Sequence, residues 1–163
     1  MTSFRQLILM TAMLTTVLGF AQDTYEPPEG GGEWIYVTVQ LNGTALDTDA
    51  VGKAVIACNM TETFHRLQLA AEKLEPNGVY SIWVVKYDLE GKKVLRQLRI
   101  DRPDRRTTAD RFGKLAFAAN VTSCVQSGYS HIEVRLHADK NPRNIAAART
   151  SLMGAMPPQV EPE

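Results

Sequence analysis

Three histidines carry most of the metal and proton chemistry open to this chain, and two of them share one short run. "HIEVRLH" places His131, Glu133, Arg135 and His137 at alternate positions. On a strand these four share one face, and Ile132, Val134 and Leu136 share the other. One metal bound by both imidazoles is excluded by reach: the run from His131 to His137 separates their backbones by roughly 20 Å, against metal–nitrogen bonds of about 2 Å. His131 and Glu133, about 7 Å apart along a strand, make half a site, and Arg135 beside them repels a cation. His65 is the third histidine. The candidate metal set is therefore His65, His131, Glu133 and His137. The stronger expectation is a solvated strand face carrying a weak Glu133–Arg135 pair.

Cys58 and Cys124 are the two cysteines. In an oxidising compartment an even count points to one disulfide. It would close a long loop and contribute about 4 kcal/mol through chain entropy. Two separate buried thiols are the alternative. A metal role for the cysteines lacks support, because neither has a second ligand-type residue at the short spacing of zinc motifs. Other catalytic patterns are missing. "SGYS" lacks the flanking glycines of a nucleophile elbow, and "EGGGE" sets acids where a phosphate loop needs none. No pair of carboxylates stands out for glycoside hydrolysis. No catalytic residue and no cofactor are expected.

A basic segment invites a different chemistry. Lys92, Lys93, Arg96, Arg99, Arg102, Arg105, Arg106 and Arg111 are opposed only by Asp101, Asp104 and Asp110. Arg99, Arg102, Arg105 and Arg106 are the candidates for an acidic polysaccharide or anionic headgroup. The competing reading is a charged edge that blocks sheet-to-sheet pairing. Nucleic acid is not expected, since no aromatic residues interleave the cations and the whole chain balances 18 Lys and Arg against 18 Asp and Glu. Asn42, Asn59 and Asn120 each open an Asn-x-Ser/Thr sequon, which would carry a glycan in a eukaryotic secretory pathway and hold the asparagine at the surface.

The elements that must position these residues begin after an export signal. Residues 1–21 hold one cation, Arg5, then an apolar run from Leu7 to Phe20 and small residues at Gly19 and Ala21, the pattern a signal peptidase reads. The run is shorter than the roughly 20 apolar residues of a spanning helix, and Thr11, Thr15 and Thr16 interrupt it. Cleavage after Ala21 is expected, with no transmembrane segment left. Residues 22–32 read as a flexible lead-in, 33–154 as one domain, and 155–163 as a proline-rich tail.

Within that domain the text is strand-like with frequent turns. "EWIYVTVQL" alternates, and Ile35, Val37, Val39 and Leu41 are its expected buried set. Trp34 and Tyr36 face the other way, as cover for a second face or as an exposed patch. "GKAVIACNM" and "HRLQLAAEKL" follow as strands, although the Ala-Ala-Glu-Lys stretch also suits a helix. "LEPNG" is a break. "VYSIWVVKYD" and "VLRQLRI" form a hairpin through "LEGKK", with Trp83 read as core. "KLAFAANV", "SHIEVRLHA" and a strand within "NIAAARTSLMG" complete the set. Seven or eight such strands predict an all-β, antiparallel Greek-key β-sandwich.

Three pieces of this text resemble secreted Greek-key domains of the chordin-type (CHRD) family: "LEPNGVYSIWVV", "TADRFGKLAFAANV" and "SGYSHIEVRLHADKNP". Ile82-Trp83-Val84 stands where that family has a histidine-rich strand end, and "RNIAAARTSLMG" replaces its closing Gly-Glu-Ile-Arg-Gly. Copper–zinc superoxide dismutase shares the architecture, but its His-x-His spacing is missing here. The resemblance implies a β-sandwich outside the cytoplasm with an interaction role, its partner an unspecified protein or glycan.

Overall fold

Alternating apolar residues and closely spaced turns make this chain a sheet protein. A computed structural model describes residues 34–59, 65–98, 107–121, 124 and 129–157. The proposed signal, the lead-in, Arg99, Arg102, Arg105 and Arg106 lie outside those residues. Along the described chain run β1 (Trp34–Gly43), β2 (Val51–Asn59), β3 (His65–Glu72), β4 (Val79–Tyr87), β5 (Lys93–Gln97), β6 (Thr107–Thr108), β7 (Leu115–Val121), β8 (His131–His137) and β9 (Ala148–Ala155). A short 3-10 turn, Ile145–Ala147, precedes β9. The alanine run is thus split between that turn and the strand. The Ala-Ala-Glu stretch of β3 is sheet throughout, because its neighbours on both sides supply a ladder that propensity alone does not foresee.

The expected all-β, antiparallel class is what the structure has. One hydrogen-bonded path runs β5-β4-β8-β9-β1-β2-β3-β7, with β6 pairing β4 beside β5. The first three strands form a meander. The chain then crosses from β3 to β4, and again from β7 to β8, to reach the other half of the path. The sheet curls so that its two halves share one core. Leu67, Leu69 and Leu115 from one half join Tyr80, Ile82, Val84, Val134 and Leu152 from the other in a single buried cluster. β6, two residues long, has too little text to be read as a strand.

Two turns are built from the same five-residue pattern. In Asp88–Lys92 and Asp110–Lys114 the aspartate Oδ1 accepts backbone N–H groups two and four residues on, at 2.8–3.1 Å. The glycine in each, Gly91 or Gly113, takes a positive φ of 75° or 73°, where an L side chain is strained. A Cβ at Gly113 would also lie 2.3 Å from the Leu74 carbonyl oxygen. The turn into β4 is pinned differently: the buried Tyr80 hydroxyl accepts the Glu75 backbone N–H at 2.9 Å. Burial pushes the Tyr80 phenol up to about 12.

Burial corrects one detail of β1. Val39 and Leu41 are in the core, and Val37 packs at its margin. Ile35 is 38% exposed next to Tyr36 at 42%. The period holds, but the strand outruns the core at its N-terminal end.

Candidate functional site

The residues of "HIEVRLH" lie on β8, between β4 and β9. Ile132, Val134 and Leu136 point into the core as the alternation requires. The opposite face is not solvated. Glu133 is 1% exposed, His137 1% and Arg135 9%. Period two assigns residues to faces but does not say which face is dry. Each outer position has partners on both sides: Glu133 lies between Trp83 and Met153, Arg135 between Ser81 and Thr150, and His137 between Val79 and Ala148. A bulge between Val134 and Arg135 shifts the β9 register there.

A buried carboxylate survives only if its lone pairs are met. Glu133 Oε1 accepts from Lys93 Nζ at 2.5 Å and from His131 Nε2 at 3.1 Å. Its Oε2 accepts from Arg135 Nε at 2.8 Å, Arg135 Nη2 at 2.7 Å and Thr150 Oγ1 at 3.2 Å. Burial alone would raise its pKa. The hydrogen bonds from Lys93, Arg135 and His131 override that and hold the carboxyl at about 2. Arg135 also lies over the Trp83 ring, 5.5 Å from its centroid. Trp83 is buried as expected, but on this polar outer face rather than among the aliphatic core residues.

His137 does not share the Glu133 network. Its Nε2 meets Ser81 Oγ at 2.6 Å, and the same oxygen accepts the Trp83 Nε1–H at 2.7 Å. His137 Nδ1 is buried without a partner. A serine beside an imidazole is the pairing a nucleophile and base would need. Here Ser81 is 4% exposed and His137 1%, so the pair acts as a buried polar link between β4 and β8.

The proposed metal set therefore divides. His131 and Glu133 meet, His137 binds Ser81, and His65 lies on β3 in a different group altogether. Cys58 and Cys124 form a disulfide with a Cα–Cα distance of 5.4 Å, joining positions 66 residues apart. His65 is the cross-strand partner of Cys58, and on its other side pairs Val121, just before Cys124. One ring nitrogen of His65 and both sulfurs lie within 4.8 Å of one another. Among the described residues this is the one group of three that combines ligand types so closely. His65 Nδ1 is buried and has no hydrogen-bond partner, and desolvation lowers the ring's pKa. Sequence spacing missed this convergence because the ligands come from β2, from the start of β3 and from beyond the end of β7. Pairing β2 and β3 as a hairpin would have found half of it.

Two basic side chains near the start of the cationic segment are already engaged: Lys93 by Glu133, and Arg96, whose Nη1 donates to the Tyr129 hydroxyl at 3.0 Å. Asn42 and Asn120 are exposed, whereas Asn59 is 3% exposed at the end of β2. A glycan on Asn59 would require that end to open, which corrects the expectation of a surface asparagine there. Among the described residues no helix is long and apolar enough to cross a membrane. No family model, curated protein or solved structure matches this chain.

Proposed function

We propose that this chain is an exported β-domain that serves as a non-catalytic binding or structural module outside the cytoplasm. The observation that carries the reading is Glu133. Both its oxygens are consumed by Lys93, His131, Arg135 and Thr150, so the most reactive-looking run in the sequence is spent on cohesion. The disulfide supports an oxidising compartment, in keeping with a cleaved signal over residues 1–21. The chordin-type resemblance supports an interaction role, with a protein or a glycan as partner.

Metal analysis of protein purified from an exporting host tests this. The expected result is a mature chain starting at Gln22, with Cys58 joined to Cys124 and no bound zinc or copper. One tightly held equivalent, lost in His131→Ala, would sink the proposal.

A further inference from the structure

The disulfide conceals a set of soft ligands. Cys58 lies in the core at the end of β2, Cys124 is partly buried beyond β7, and His65 stands in register between those strands at the start of β3. Their ligand atoms fall within 4.8 Å of one another. One ring nitrogen of the histidine belongs to that group, and its Nδ1 is buried with no hydrogen-bond partner. We infer that Cys58, His65 and Cys124 form a latent Cys2His site for a soft or borderline cation such as Zn²⁺, Cd²⁺ or Cu⁺, closed while the disulfide is intact and opened by a dithiol reductant.

The exchange balances simply. The dithiol gives up two electrons and two protons and becomes a cyclic disulfide, and Cys58 and Cys124 become thiols. A divalent cation then displaces both thiol protons and binds two thiolates and the neutral imidazole. Metal–sulfur bonds of about 2.3 Å at a tetrahedral angle put the two sulfurs roughly 3.8 Å apart. Three protein ligands leave a fourth position for water or an added ligand, as in open zinc sites. Hard cations are not expected, since the group offers no oxygen ligand.

Cadmium alone, added to the full exported chain, tests the site. Reduced protein should take up one equivalent, with an ultraviolet thiolate-to-cadmium charge-transfer band, and oxidised protein should take up none. His65→Ala should weaken binding at least ten-fold in the reduced state, which a plain dithiol would not show. Should reduction unfold the chain, cadmium should restore the sheet's circular dichroism spectrum, because binding to the folded state alone pulls the equilibrium back. The inference is overturned if reduced protein binds no stoichiometric cadmium, if an unfolded reduced chain is not refolded by it, or if His65→Ala binds as tightly as the parent.

Discussion

Lys93 and Glu133 meet at 2.5 Å although forty positions separate them in sequence. The contact ties edge strand β5 across β4 to β8, and it is one of three side-chain contacts that place cations or a histidine on a single carboxylate. Lys93 is 41% exposed at its side chain and Arg135 11%, so the two pairs differ in worth. Solvent screens the first, while the second is nearly dry.

Glu133→Gln should destabilise the fold by about 3 kcal/mol, because Arg135 is left buried without its counter-charge. Lys93→Met should cost less, about 0.5 kcal/mol. Urea unfolding of both variants checks the order. Equal losses would mean that Arg135 finds another partner.

The same carboxyl sets the acid limb of stability. Its folded pKa, about 2, lies below its ordinary 4.5, so its contribution is fully present above 4.5 and is lost as pH falls towards 2. The loss should be on the order of 3 kcal/mol. Urea midpoints measured from pH 6 to pH 2 should fall in the parent and stay flatter in Glu133→Gln. A parallel fall in both would assign the acid limb to other groups.

Ser81→Ala should cost about 2 kcal/mol, since it strands both the Trp83 indole N–H and the His137 ring in a buried place. Trp83 fluorescence should change in the folded variant as its hydrogen bond disappears. An unchanged spectrum and an unchanged midpoint would show that the link between β4 and β8 does not depend on the hydroxyl.

Replacing Cys58 and Cys124 together by alanine should lower stability by about 4 kcal/mol, the chain-entropy value for a loop of this length. Thermal or urea unfolding under non-reducing conditions measures it. A loss near zero would indicate that the ends of β2 and β7 are held by the ladder through His65 alone.

Strand identity was legible wherever alternation was clean, as in Val37-Thr38-Val39-Gln40-Leu41 or Ile132 to Leu136. What escaped was lateral: which strand lies beside which. The Glu133 cluster needs β5, β8 and β9 side by side with β4, and the His65 group needs β2, β3 and β7 together. Neither neighbourhood follows from a local period. The paired Asp-x-x-Gly-Lys turns were in plain text, "DLEGK" and "DRFGK", and their shared spacing was a signal for shared geometry. Asn59 shows the opposite failure: a surface motif can fall on a residue that packing has claimed.

The ladder between β1 and β9, through Asn42 with Met153 and Gly43 with Leu152, joins the first described strand to the last. A chain wired this way has no complete partner set for its opening segment until its closing one has been synthesised. Contacts of such long sequence separation slow folding, typically to milliseconds or longer. An emerging polypeptide would therefore stay without its final shape until β9 has left the ribosome's exit tunnel.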